Sequence, residues 1–385
     1  MLDRRTFLLT SLAATAGLLS GCRGSQDTLD ILLLQNSLPP QLISDFKKAM
    51  TKTRQIGLQP EADLTAIFEL LEAWQSKEQK SSVIDTLPFR GNTSRANIAT
   101  LGDSWLQRAI AENLIQPLNM SKSEAWSRFP EVWQNLVKRD RQGNVSFQGE
   151  IYGAPYRWGN TVIAYRKDKL DWTPTDWSDL WREELKGRIS LLDNYRETIG
   201  LTLKKLGYSY NTASLSQVSN LTTELDRLQQ QVKFYSSDKY LQPLVLGDTW
   251  LAVAWSTDVL PITQRYSDIG VVVPRSGTSL WADVWVQPQM DKQDASSPET
   301  ASLLSNWIDF CWELRSAKQI LLFTKAISPV LTGLSASELK DLTQNLADNP
   351  VLESSLTNFE NSEFLLPLAS ESIAEYRETW KTMRV

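Results

Sequence analysis

The chain of 385 residues contains no histidine and only two cysteines, Cys22 and Cys311. Lack of histidine removes the commonest general base and metal ligand, and a Ser-His-Asp triad is impossible. Two distant cysteines with no Cys/His cluster around them make no zinc site. Walker A, GxGxxG, GxSxG, HExxH and CxxC patterns are all missing. The 45 acidic residues leave paired-carboxylate hydrolysis open, but nothing singles out one pair. Beyond the N-terminus no uncharged apolar run approaches the ~20 residues that a membrane-spanning helix needs. Positive charge is not in excess either: the formal net charge is −5, so no nucleic-acid footprint is expected. These absences predict a protein that is not an enzyme and needs no metal or cofactor.

What is present points elsewhere. With 42% hydrophobic and 22% charged residues, the chain can bury the core of two or three domains. Fifteen tryptophans are more than packing calls for, so some are expected at a binding surface. The N-terminus reads as an address. Arg4 and Arg5 precede Phe7, Leu8 and a short apolar run that ends Leu19-Ser20-Gly21-Cys22. A cationic start and a short apolar stretch make a secretory signal over residues 1–21. The arginine pair resembles a twin-arginine export signal, and the ending resembles a lipobox. Cys22 is then the lipidated first residue, followed by a polar tether (22–28). A plain cleaved signal with an incidental cysteine is the alternative.

From residue 29 onward, strand-like and helix-like segments alternate. The apolar run 29–35 reads as a buried strand and 39–50 as a helix opened by proline. The order repeats through residues 55–77 and 95–118, which argues for a mainly parallel sheet with ligands at the carboxyl ends of its strands. Residues 145–168 give two strand-like runs broken by Gly and Pro, 221–235 reads as helical, and 249–257 and 268–274 read as strands. Helices dominate from 298 to the end.

Within this second unit, residues 279–288 read SLWADVWVQP. On a strand, alternate side chains share a face, so Trp281, Asp283 and Trp285 would line one side: a carboxylate between two indoles. Indole faces attract cations and a carboxylate accepts their hydrogen bonds. The alternative is structural, with Asp283 capping a turn or paired with a buried arginine and both tryptophans in the core.

Residues 152–212, "YGAPYRWGNTVIAYRKD…WSDLWREELKGRISLLDNYRETIGLTLKKLGYSYNT", resemble the middle of the periplasmic spermidine/putrescine-binding proteins of ABC transporters. The similarity extends through LAVAWSTD, SLWADVWVQP and, upstream, AENLIQPLN. The resemblance implies an α/β, two-lobed type II periplasmic binding protein fold with a hinge and an interlobe ligand cleft. Its lobes would be 29–158 with 283–335, and 159–282 with 336–385. In such a cleft a polyamine chain lies between aromatic rings, with its ammonium groups on carboxylates. Carried over by position, Trp255, Trp281, Asp283 and Glu197 are the expected ligand contacts. Asn194 stands at a position that is acidic in the family, with Asp193 beside it. The family's first-lobe aromatics are replaced, at Leu34, Gln35 and Ser37 and at Gly102 and Ser104, leaving Asp103 and Trp105 alongside; Trp105 is the first-lobe residue expected to contact ligand. The function implied is capture of spermidine or putrescine and delivery to a permease and its ATPase by a periplasmic, lipid-anchored monomer. A binding protein for another small solute, or a non-transport structural lipoprotein, is the alternative.

Overall fold

The computed structural model describes residues 28–50, 55–76, 95–121, 123–290, 297–335, 337–338, 340–341 and 351–384. The expected signal segment, Cys22 and the tether up to residue 27 lie outside the described residues. At the N-terminal edge, strand β1 (Thr28–Leu34) runs parallel to both β2 (Gln55–Glu61) and β3 (Ile98–Gly102). The connecting helices follow local chemistry. Pro40 opens the helix Pro40–Ala49, which buries Leu42 and Phe46 one turn apart. Asp63 caps the helix Leu64–Gln75 by accepting the Ala66 N–H at 2.8 Å.

Short strands β4 (Ile115–Gln116), β5 (Lys138–Arg139) and β6 (Glu150–Ile151) lead to β7 (Ala154–Arg166). β7 is one continuous strand across Pro155 and Gly159, where the sequence suggested breaks. Pro155 is tolerated because it sits at an irregularity: Asp283 faces Arg157 but Val284 faces Pro155, so Tyr156 is the extra residue. Gly159 faces Trp281, and a Cβ at residue 159 would come within 2.4 Å of the indole.

The remaining strands are β8 (Ile189–Leu191), β9 (Val232–Tyr235), β10 (Leu251–Trp255), β11 (Ile269–Val272), β12 (Ser279–Pro288) and β13 (Glu363–Phe364). β9 corrects the reading of 221–235 as one helix. The helix stops at Gln229, and Val232–Tyr235 pairs in parallel with β8. Val, Phe and Tyr there fill a sheet edge better than a helix end. Strands follow the order β2-β1-β3-β12-β7-β10-β8-β9, so β7 joins the two halves.

Two apolar cores flank this join. One gathers Leu29 to Trp158, Leu280 to Val286 and the helices Pro298–Cys311 and Leu314–Thr324. The other gathers residues from Val162 to Val273. Along β7 the change of core falls between Trp158 and Val162. The C-terminal stretch serves both: Leu352 and Phe364 pack into the first, Tyr376 and Met383 into the second. Among the described residues, no helix is long and apolar enough to cross a membrane.

Candidate ligand cleft

A cavity of about 300 Å³ opens where β3, β8 and β10 end, as expected for α/β sheets. Asp103 enters it from the first half. It follows Gly102, the last residue of β3, and starts a single 3₁₀ turn, Asp103–Trp105. Its carboxylate accepts the Ala282 N–H at 3.0 Å, which pins it beside β12. The side chain is buried, and burial pushes its pKa up to about 7, against the opposing pull of Arg139.

Glu197 enters from the second half, in the first turn of the helix Tyr195–Lys205. Asn194 caps that helix, its side-chain oxygen accepting the N–H of Arg196 at 2.9 Å and of Glu197 at 3.3 Å. Glu197 Oε2 accepts hydroxyl hydrogens from Thr161 at 3.1 Å and Ser279 at 2.5 Å. Burial again raises the pKa to about 7, and the charge of Asp103 adds to the rise. Among the described residues neither carboxylate has a Lys or Arg at ion-pair distance. Two buried carboxylates, one from each half of the sheet, thus face one cavity with no ion-pair partner, the charges of Arg139 and Arg196 acting on them only from beyond that distance.

Two indoles complete the setting. Trp255 closes β10 and lines the cavity; its backbone N–H donates to the Tyr240 hydroxyl at 3.3 Å, which in turn donates to Asp258 at 2.6 Å. Trp281 also lines the cavity, seated over the backbone of Gly159. Leu365, Leu366 and Leu368 form an apolar wall that comes from the C-terminal stretch. Arg196 lines the cavity too, but its guanidinium turns into that wall, donating to the Leu366 carbonyl at 3.0 Å and to Asn211 at 2.8 Å.

Of the six expected contacts, the structure brings Trp255, Trp281, Glu197 and Asn194 together around the cavity. The Asn194 amide is engaged in helix capping, so it shapes the site while offering no charge. Asp283 and Trp105 stand outside the lining. Arg157 is directly across the ladder from Asp283, and its Nη2 and Nε reach Asp283 Oδ2 at 2.5 and 2.7 Å, with both residues buried. This is the arginine-paired arrangement held as the alternative for Asp283. Trp285 belongs to the core, stacked on Tyr156 with ring centroids 4.2 Å apart. Trp105 turns back onto Phe68 at 4.7 Å. Asp103, one of the two neighbours left alongside in the GDSW stretch, takes the cleft position instead.

Two α/β halves that share a crossing strand and hold a cavity between them make a two-lobed binding protein of the periplasmic kind. The chain belongs to the bacterial extracellular solute-binding protein family, whose sequence model matches residues 96–366. It is 25% identical over 380 residues, 98% of each chain, to the spermidine/putrescine-binding periplasmic protein of Escherichia coli K12. It is 23% identical over 302 residues, 74% of this chain and 73% of the relative, to the putrescine-binding periplasmic protein PotF of the same organism. Among solved structures, the spermidine/putrescine ABC transporter substrate-binding protein PotD of Streptococcus pneumoniae superposes with a TM-score of 0.71 at 20% identity, covering 93% of this chain and 98% of that one. The Tp0655 lipoprotein of Treponema pallidum gives 0.66 at 16% identity, covering 93% and 99%.

Proposed function

We propose that this chain captures a small aliphatic amine, spermidine or putrescine in class, and hands it to an ABC permease and its ATPase without altering it chemically. The carrying observation is the pair Asp103 and Glu197, buried, with no Lys or Arg at ion-pair distance among the described residues and drawn from both halves of the sheet. Two carboxylates of this kind lack only a ligand that brings positive charge. Trp255 and Trp281 offer indole faces to an ammonium and cover for its methylenes, at about 0.8 kcal/mol per buried CH₂. The printed names of the relatives agree with this reading. A different small cationic solute in the same cleft is the second reading; it is favoured by Asn194, which supplies a neutral amide where the family resemblance expects a third acid.

The two lobes, 29–158 with 283–335 and 159–282, with the C-terminal stretch expected in the second packing on both cores through Leu352, Phe364, Tyr376 and Met383, would close on the ligand about the crossing strands. Thermal unfolding of the purified protein with 1,4-diaminobutane, spermidine and, as an uncharged control, 1,4-butanediol tests the reading. An amine at a hundred times its Kd is expected to add about 2.7 kcal/mol of stability, while the diol adds nothing. Equal shifts from diol and amine would refute a charge-reading site.

The N-terminal sequence supports export through the twin-arginine route and lipid anchoring at Cys22 on the periplasmic side of a bacterial membrane, the working form being a monomer. Cys22→Ala is expected to move the protein from the membrane pellet to the soluble periplasmic fraction. A Cys22→Ala protein that still pellets would count against the anchor.

A further inference from the structure

Asp283 is a third carboxylate beside the cleft, and it already holds a cation that the protein supplies itself. Arg157 reaches it through two contacts on Oδ2, and the pair is buried, outside the cavity lining itself. Three observations fix how near the ligand space it lies. The Arg157 guanidinium stands 5.8 Å from the ring centroid of Trp281, which lines the cavity. Asp103, which also lines it, is bonded to the backbone of Ala282, the residue before Asp283. Asp283 itself faces Gly102, the residue before Asp103, across the β12–β3 ladder. Nothing else among the described residues would neutralise Asp283 if Arg157 were taken away.

We propose that Arg157 is a specificity-determining residue: by occupying Asp283 it leaves the cleft two carboxylates without an ion-pair partner, Asp103 and Glu197, and so favours a ligand with two cationic groups over one with three. The inference rests on the amine reading of the cleft. Without Arg157, a buried and unpaired Asp283 would draw in whatever cation can reach it, because an uncompensated buried charge is costly. A triamine has a spare ammonium for that purpose; a diamine bound at Asp103 and Glu197 has none. Arg157 therefore acts by filling a place in the charge pattern, without itself touching the ligand.

The test titrates 1,4-diaminobutane and spermidine into the wild type, Arg157→Met, and the double variant Arg157→Met with Asp283→Asn. The ratio of triamine to diamine affinity is expected to rise about tenfold or more in Arg157→Met, the strength of one added charge-assisted hydrogen bond. In the double variant, which has no third acceptor, the ratio should return to the wild-type value. If Arg157→Met does not fold, Arg157→Gln keeps N–H donors for Asp283, removes the charge and must raise the ratio likewise. A folded single variant whose ratio stays within about twofold of wild type overturns the proposal, as does a double variant that keeps the raised ratio. Wild-type protein that binds neither amine would sink the amine reading and this inference with it, whereas amines bound with an unmoved ratio sink this inference alone.

Discussion

Neutralising both cleft acids, Asp103→Asn together with Glu197→Gln, should weaken amine binding by about 10²–10⁴-fold, since each charge-assisted contact contributes roughly 1.5–3 kcal/mol. The substitutions keep shape and most hydrogen bonding. An amide oxygen at position 103 can still accept the Ala282 N–H, and one at position 197 can still accept from Thr161 and Ser279. What goes is the charge. The unliganded protein should respond in the opposite sense. Burial holds both carboxyls near pH 7, well above their ordinary values of 3.8 and 4.5. Between those values and about 7 the native state therefore binds more protons than the unfolded chain. Wild-type stability consequently falls as pH rises through this window, on the order of a few kcal/mol per group. The double variant has nothing to ionise at these two positions, so it should lose that slope and melt higher than wild type at pH 8. A variant that binds amines normally would remove Asp103 and Glu197 from the site. One that melts lower at pH 8 would contradict the account of their burial.

The second large effect concerns stability. Asp283→Asn leaves the Arg157 guanidinium buried with no counter-charge, and breaking one partner of a buried pair costs about 3–5 kcal/mol. Replacing both, with Arg157→Met and Asp283→Asn, removes the charge along with its partner and should recover most of that loss. A double-mutant cycle in urea therefore gives a large coupling energy. Diamine affinity of the double variant should match wild type, because Asp283 does not line the cavity. Were Asp283 a direct acceptor for the diamine, the double variant would bind about ten- to a hundredfold more weakly instead.

The halves of the site were unequally legible in the sequence. Trp255, Asn194 and Glu197 sit where a strand ends or a helix starts, and those boundaries are written locally: an apolar run, then a cap residue. Trp281 was legible from the strand pattern, with Gly159 as the partner that gives it room. Choosing Asp103 over Trp105 depends on one 3₁₀ turn. Successive residues there point about a third of a turn apart, so that Asp103 is buried against the cleft, Ser104 is exposed and Trp105 packs on Phe68. Strand alternation predicted one shared face for Trp281, Asp283 and Trp285, but it carries no information on what stands opposite. Arg157 lies 126 residues from Asp283, and only the register of β7 against β12 brings them face to face. The irregularity at Tyr156 then places Trp285 against Tyr156 in the core. The wall of Leu365, Leu366 and Leu368 was illegible for a similar reason: its apolar run has no periodicity, and its place depends on long-range packing.

Proton release on binding tests the central claim, that two buried acids take the charge of the ligand. Spermidine is titrated calorimetrically at pH 6.5 in two buffers of different ionisation enthalpy, and the difference in heat gives the protons exchanged. At pH 6.5, well below the lysine value of about 10, the amines are fully protonated. Burial raises the pKa of Asp103 and Glu197 to about 7, so the protons they still hold at that pH must be given up to accept the ligand. The account predicts release of between about one and two protons per spermidine, falling toward zero above pH 8 and absent in Asp103→Asn with Glu197→Gln. Tight binding with no proton released at pH 6.5, or release that persists in the double variant, would contradict it.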